Sequence, residues 1–452
     1  RAMLTVALFL IYERAFASAW LAGVGVAIYM VNPSYVFFSS TFVYESLAIA
    51  ISAVLILATV RRQDATGRAQ VVYAGIVLVT SVALVLTHHV TTLATIGILV
   101  VIAVTNLLFG RHVVAARRAA EGAALLATLF LIWLVVAAQA TVAYLGPPIV
   151  DAVRQFVGLL LGEDVTRPLF TAETGLVAPL WERISAIAAT AITLGGIGLG
   201  VVGAWRRYRT NPLAIALTAI AVAYPAILVV RSTRAGGELA ARSSAFVFIG
   251  VSFAIALAVA WVLSTDLVRW RPVRRRLLLS GAAGLLLVGG VIVGSPSWQR
   301  LPGPYLVEAD SRSLNLQSLA MAEWTVEHLG PNRAFAADRF NRLMVGAYGH
   351  QRVVFAHGAG TAEWPVFITD VIGPAEINVL RRGGVEYTII DRRLADGPPY
   401  VGYYYEKAER LRRASEEPMQ PSQLDNFDVV RGSSRIFDSG DLQIYDVQEL
   451  TK

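Results

Sequence analysis

SSAFVFIGVSFAIALAVAWVL, residues 243–263, has the length of a membrane-spanning helix and contains no charged side chain. A helix rises about 1.5 Å per residue and needs about 20 residues to cross the hydrocarbon core of a bilayer. Comparable apolar stretches occupy residues 41–60, 71–87, 90–110, 119–145, 184–204, 212–230 and 277–295. Because the backbone in lipid must satisfy its own hydrogen bonds, these stretches predict a bundle of membrane-spanning helices.

The overall composition agrees with a membrane protein. Hydrophobic residues make up 56% of the chain and the mean hydropathy is +0.57, which is above the range of soluble domains. Cysteine is absent, which excludes disulfides and thiolate metal sites. A net charge of +7 would favour nucleic-acid binding in a soluble protein. Here the arginines lie in short loops between apolar stretches, so we expect no nucleic-acid partner.

The arginine-rich loops predict the orientation of the chain. They are 61–70, 111–118, 205–211 and 264–276. These are every second loop, as the positive-inside rule requires of cytoplasmic loops. The intervening loops are then outside, namely 32–40, the turn at 88–89, 146–183 and 231–242.

The alternation of cytoplasmic and outer loops, continued along the chain, predicts two domains. Residues 1–295 form a polytopic α-helical membrane bundle of about nine to ten spans, in which residues 15–31 form a helix that rises outward. The run Met3–Tyr12 is the end of a preceding, truncated span, so we expect an N-terminal portion before it. Residues 296–452 form a small extracytoplasmic α/β domain. The strong preference for arginine over lysine suggests a GC-rich bacterial genome, and we expect the protein in the cell membrane.

The tail after residue 296 alternates short apolar strands with polar helices, which predicts a mixed sheet. The expected helices are Leu316–Leu329 and Pro374–Arg382, and the expected strands are Ala334–Ala337, Arg352–Phe355, Tyr387–Asp391, Ser434–Asp438 and Leu442–Asp446. The polar residues Asp391, Arg392 and Arg393 follow a buried strand, so they could line a ligand cleft or only end the strand. His350 and His357 are isolated, which is typical of structural or solvated histidines.

Glu45, His88 and His89 are the candidate catalytic residues on the outer side. Ionisable groups near membrane depth are costly and often functional. Glu45 with one histidine could form an acid/base pair or hold a divalent metal ion. The alternatives are an interfacial carboxylate that is only hydrated, and histidines that only cap a turn between helices.

Arginines on the outer side break the positive-inside pattern. Arg231, Arg234 and Arg242, together with Glu238, lie around the start of the helix that follows the loop at 231–242. The planar guanidinium binds phosphate through two parallel hydrogen bonds. We therefore predict a site for a lipid phosphate or diphosphate, with anchoring to lipid headgroups as the alternative. A second interfacial element is predicted at 149–160, which fits an amphipathic helix lying in the membrane plane.

The chain resembles the membrane glycosyltransferases of the C-type superfamily (GT-C), which includes protein O-mannosyltransferases and oligosaccharyltransferases. The matching segments are Asn32–Tyr35, Phe42–Ala48, Thr87–Thr92 and Gly237–Arg242. The resemblance implies inverting transfer of a sugar from a polyprenyl-phosphate donor to a glycan, lipid or protein acceptor at the outer face. It also implies that Glu45 with His88 or His89 faces the reaction centre, and that Arg231 and Arg242 face the donor phosphate. Family members use an aspartate in the first outer loop, and this chain contains no such loop.

Two other classes of protein fit parts of the sequence. One is a transporter or assembly component for a cell-envelope polysaccharide or lipid-linked glycan, whose outer arginines guide an anionic substrate. Transporters typically have charged or broken helices near the midplane, often in repeated halves. The mid-span residues 47–58, 122–142 and 246–260 are almost wholly apolar, which disfavours this class. The other class is a sensor, which the sequence disfavours because it provides no cytoplasmic output domain.

Overall fold

A computed structural model of the chain describes residues 1–32, 35, 44–110, 112–138, 150–151, 154–155, 157–158, 161, 168–171, 177–233, 236–264, 272–294, 297–355, 362–406, 409 and 417–452. The chain divides into two compact units. The spanning unit comprises Arg1–Leu169 and Pro179–Ser295, and the C-terminal unit comprises Phe170–Ala178 and Pro296–Lys452. The predicted domain bounds, 1–295 and 296–452, stay a prediction.

The described part of the spanning unit is built from helices. They are α1 (Ala2–Phe16), α2 (Ala19–Tyr29), α3 (Tyr44–Arg62), α4 (Gly67–Thr87), α5 (His89–Thr105), α6 (Val113–Val136), α7 (Leu180–Arg207), α8 (Pro212–Val222), α9 (Tyr224–Arg231), α10 (Gly236–Ser264) and α11 (Pro272–Leu286). Short π-helical segments, Asn106–Gly110 and Leu287–Ile292, extend α5 and α11.

Eight helical segments of the described chain are long and apolar enough to cross a membrane. They are Tyr44–Arg62, Gly67–Thr87, His89–Gly110, Val113–Val136, Leu180–Arg207, Pro212–Arg231, Ala240–Ser264 and Val273–Ile292. Each overlaps one of the stretches expected from the sequence, so the predicted membrane bundle is confirmed. The bounds of α6 differ from the expected 119–145, because the helix begins within the arginine-rich loop and ends at Val136. Residues 139–145 of that prediction lie outside the described residues.

The predicted helix at 15–31 was wrong at its beginning. Helix α1 continues to Phe16, and Ala17 then adopts a left-handed conformation with φ 52°. The hydroxyl of Ser18 accepts a hydrogen bond from the main-chain N–H of Leu21, which caps the N-terminus of α2. The chain therefore reverses at Ala17 and Ser18.

Helix α10 is enclosed by other helices of the spanning unit. Its residues Val251, Phe253 and Ala254 have no exposed surface. On one side, the hydroxyl of Tyr12 in α1 donates a hydrogen bond of 2.8 Å to the carbonyl oxygen of Ile249. On another side, a Cβ atom at Gly200 of α7 would lie 2.6 Å from the carbonyl carbon of Ala254. Glycine at this position therefore allows the two helix backbones to approach closely, as is common between membrane helices.

The C-terminal unit contains a mixed five-stranded sheet. The strands are β1 (Ala334–Ala336), β2 (Arg352–Val353), β3 (Tyr387–Asp391), β4 (Ser434–Asp438) and β5 (Leu442–Asp446). Their order in the sheet is β2-β1-β3-β5-β4, with β2, β1 and β3 parallel and β5 antiparallel to both β3 and β4. The predicted small α/β domain with a mixed sheet is thus confirmed as a fold.

The helices of this unit include both predicted ones and four that the sequence analysis missed. They are α12 (Leu316–Leu329), α13 (Arg339–Ala347), α14 (Pro374–Gly383), α15 (Pro421–Leu424), α16 (Asn426–Val429) and α17 (Gln448–Thr451). The longest of the four is α13. Its sequence signal is Asp338, whose carboxylate accepts hydrogen bonds from the main-chain N–H groups of Phe340 and Asn341.

Candidate functional site

Glu45 lies in the first turn of α3 and its side chain is only 3% exposed. The first turn of a helix presents unpaired N–H groups and the positive end of the helix dipole, which together stabilise a carboxylate. The carboxylate of Glu45 thus lies at the end of α3 that attracts negative charge.

His88 connects α4 and α5 and caps the N-terminus of α5. Its Nδ1 accepts a hydrogen bond from the main-chain N–H of Thr91, and the hydroxyl of Thr91 lies 2.7 Å from the same nitrogen. A main-chain N–H can only donate, so Nδ1 of the neutral imidazole is the acceptor and Nε2 carries the proton. Nε2 lies 3.9 Å from Oε2 of Glu45. The capping role thus fixes which side of the ring faces the carboxylate.

Arg242 approaches the same carboxylate from α10. Its Nη1 lies 3.5 Å from Oε2 of Glu45, and its side chain is 27% exposed. The oxygen that faces His88 is therefore also the oxygen that faces the guanidinium. We call Glu45, His88 and Arg242 the outer cluster, after the side of the membrane on which the sequence places it. The arrangement can accept a proton at the carboxylate and bind an anion at the guanidinium.

The remaining predicted site residues have different surroundings. The ring centroid of His89 lies 5.0 Å from that of His88. Arg231 is the exposed last residue of α9. Arg234 and the side chain of Glu238 lie outside the described residues, so their predicted role is untested. The same holds for half of the amphipathic segment predicted at 149–160 and for His357.

The outer cluster does not fit a divalent metal ion. Glu45 and His88 would supply two ligands, but the guanidinium of Arg242 places a positive charge beside the oxygen that a cation would need. Across the described part of the chain, no group of three or more histidines, aspartates or glutamates is arranged to hold a metal.

The C-terminal unit contains a second cluster of ionisable groups, which involves the predicted cleft residues. The carboxylate of Asp391 accepts two hydrogen bonds from the guanidinium of Arg393, of 2.8 Å and 2.6 Å, and one of 3.1 Å from the amide of Asn341. Asp391 is buried. This geometry is typical of a structural ion pair, in which the bidentate contact uses the groups that a ligand would otherwise need.

Two further carboxyl groups beside this ion pair were missed by the sequence analysis. Burial and the neighbouring Asp338 raise the pKa of Glu308 well above its usual value. Burial and the neighbouring Asp391 raise the pKa of Asp338 as well. Arg339 lies 3.6 Å from Glu308 and reduces this effect without removing it. These carboxyl groups therefore retain protons at higher pH than exposed ones do.

Two solved structures have a similar fold. One is the Archaeoglobus fulgidus oligosaccharyltransferase tethered with an acceptor peptide containing the NVT sequon, with a TM-score of 0.51 and 13% identity over 87% of this chain. The other is the archaeal oligosaccharyltransferase AglB from Archaeoglobus fulgidus, in complex with an inhibitory peptide and a dolichol-phosphate, with a TM-score of 0.52 and 13% identity over 86% of this chain. The chain has the fold of an archaeal oligosaccharyltransferase.

This similarity confirms the predicted resemblance to oligosaccharyltransferases at the level of the fold. No protein-family model and no curated protein matches the sequence. The chain spans 57% of the length of each of the two oligosaccharyltransferase structures. Because fold alone does not determine function, the activity has to be argued from the outer cluster.

Proposed function

We propose that the protein is a membrane glycosyltransferase that transfers a sugar from a polyprenyl-phosphate donor to a glycan, lipid or protein acceptor. The observation that carries the proposal is the outer cluster, in which a buried carboxylate and a partly exposed guanidinium lie 3.5 Å apart. The oligosaccharyltransferase with a similar fold was solved with a peptide and a dolichol-phosphate, which supports this class of donor.

In the proposed reaction, the hydroxyl oxygen of the acceptor attacks the anomeric carbon of the sugar. A new carbon–oxygen bond forms as the bond from that carbon to the phosphate oxygen breaks, and the phosphate leaves with the electron pair. Glu45 accepts the proton of the hydroxyl. Arg242, with Arg231 as the second candidate, stabilises the negative charge on the leaving phosphate. Attack opposite the leaving group inverts the configuration at the anomeric carbon.

The proposal places the reaction and the C-terminal unit at the extracytoplasmic face of the cell membrane. The support is the alternation of the loops, since Arg206 and Arg207 end α7 on the predicted cytoplasmic side and Arg209 follows them. Glu45 lies in the first turn of α3, and His88 lies immediately before α5. Arg242 lies near the beginning of α10. These positions are at the opposite ends of the spans from the arginine-rich loops.

The experiment measures the affinity of a polyprenyl phosphate in detergent for the wild-type protein and for Arg242→Lys and Arg231→Lys. Lysine keeps the charge but loses the planar pair of donors that binds phosphate. We expect the affinity of Arg242→Lys to fall by about tenfold or more, which corresponds to about 1.4 kcal/mol. Arg206→Lys at the predicted cytoplasmic end of α7 serves as the matched control.

Anchoring to lipid headgroups gives a different result. Any cation near the surface gains about 1 kcal/mol from anionic lipid, so lysine would serve as well as arginine. Unchanged affinity in both Arg242→Lys and Arg231→Lys would therefore remove the phosphate site and, with it, the main support for the glycosyltransferase.

A further inference from the structure

The guanidinium of Arg242, which would bind the donor phosphate, already contacts the carboxylate of Glu45. An ideal guanidinium–carboxylate pair has nitrogen–oxygen distances of about 2.7–2.9 Å and two parallel hydrogen bonds. The contact between Nη1 of Arg242 and Oε2 of Glu45 is 3.5 Å. The pair is thus looser than an ideal one, so an anion with more charge and more acceptor oxygens can compete for the guanidinium.

The burial of the two partners differs in a way that suits such competition. The Glu45 side chain is 3% exposed, whereas that of Arg242 is 27% exposed. Part of the Arg242 side chain is therefore accessible to an incoming anion, whereas the carboxylate of Glu45 is almost fully buried. Two anions held at one guanidinium repel each other, and this repulsion is strong where water is largely excluded.

We propose that Glu45 is an internal anion that competes with the donor phosphate for Arg242, so that phosphate binding moves the carboxylate towards His88. This inference rests on the proposed function. His88 is placed to receive the carboxylate, because Nε2 bears the proton and already lies 3.9 Å from the same oxygen. The carboxylate then becomes available to an acceptor hydroxyl only when the donor is in place.

The opposite arrangement is a bridge, in which Arg242 holds Glu45 and the phosphate at the same time. A guanidinium has five N–H donors, so this arrangement is sterically feasible. In a bridge, Glu45 orients Arg242, and removal of its charge leaves phosphate affinity unchanged or lowers it. In the competition that we propose, removal of the charge raises phosphate affinity. The two arrangements therefore predict opposite signs for one measurement.

The experiment compares the affinity of a polyprenyl phosphate for the wild-type protein and for Glu45→Gln. We expect Glu45→Gln to bind about tenfold more tightly. Glu182→Gln is the matched control, because Glu182 is also a buried glutamate in the first turn of a helix on the predicted outer side. Unchanged or weaker binding by Glu45→Gln would overturn the competition.

Two further results separate the possible failures. If Glu45→Gln does not fold, Glu45→Asp keeps a carboxylate in the first turn of α3 but withdraws it from Arg242 by one methylene. A smaller gain in affinity then supports the proposal, and no gain refutes it. If neither the wild-type protein nor these variants bind the lipid phosphate, the proposed function fails together with the competition. If the wild-type protein binds and the variants gain nothing, the competition alone fails.

Discussion

Replacement of Gly200 by alanine should destabilise the spanning unit. A Cβ atom at this position would lie 2.6 Å from the carbonyl carbon and 2.8 Å from the Cα of Ala254. Ordinary carbon–carbon contacts lie at about 3.5–4.0 Å, so α7 and α10 must separate by about 1 Å. Such overpacking typically costs about 1–3 kcal/mol. Alanine recovers up to about 1 kcal/mol through its better helix propensity. We therefore expect a net loss of up to about 2 kcal/mol.

The assay is the thermal unfolding midpoint of the protein in detergent. A loss of 1 kcal/mol lowers the midpoint by about 2–4 °C in domains of about 150–250 residues. Gly198→Ala is the matched control, because Gly198 lies in the same helix and a Cβ there would meet nothing within 4 Å. We expect this variant to be as stable as the wild type or slightly more stable. Equal effects of Gly198→Ala and Gly200→Ala would refute the close approach of α7 and α10 as the reason for glycine at position 200.

Two further predictions concern the C-terminal unit. Burial raises the pKa of Glu363 to about 7 and that of Glu308 well above its usual value, so the folded unit binds more protons than the unfolded chain. Its stability should therefore fall as the pH rises from about 4.3, the usual value of a glutamate, through about 7. Hydrogen exchange of the main-chain amides of β3 measures this stability as a function of pH. Glu363→Gln should weaken the dependence of the stability on pH, whereas the control Glu327→Gln, at an exposed position, should not. The second prediction is that a reporter that works only outside the cytoplasm is active when it is fused after Lys452. Activity of a reporter that works only in the cytoplasm would reverse the predicted orientation of every loop.

The strands of the C-terminal unit show why much of the fold could be predicted from the sequence. Strand β3 contains the apolar pair Ile389 and Ile390, and all five of its residues, Tyr387–Asp391, are buried. The bounds of such a run are marked by the change from apolar to polar residues, so the prediction matched the structure. Helix α13 has no comparable run, and it begins at the aspartate cap of Asp338. One capping residue is a weak signal in a sequence, although it is decisive in the structure.

Helix α6 shows the corresponding limit in the spanning unit. The arginines of the predicted loop at 111–118 were assigned to a connection, but α6 already begins at Val113. Within the helix, Arg117 forms an ion pair of 3.0 Å with Glu121, four residues further along. Such pairs support the exposed end of a helix. Charge thus indicates which side of the membrane a segment lies on, but it does not indicate where the helix begins.

The sequence predicts the individual residues of the candidate site but not which of them contact one another. From the sequence, Glu45 and the histidines form one group and the outer arginines form another. The structure brings Glu45 and Arg242, which are 197 positions apart in the chain, within 3.5 Å of each other. That pairing depends on how helices distant in the sequence pack, which local patterns do not encode.

The shared oxygen changes how substitutions in the outer cluster must be interpreted. Because Oε2 of Glu45 faces both Nε2 of His88 and Nη1 of Arg242, removal of either partner also changes the environment of the other. Residues that share a partner typically show non-additive energies. A single variant at Glu45 or Arg242 therefore reports the loss of one side chain together with the change in its neighbour. A cycle that combines changes at Glu45 and Arg242 measures the energy of their contact directly, and this energy is what a donor phosphate has to overcome in the proposed competition.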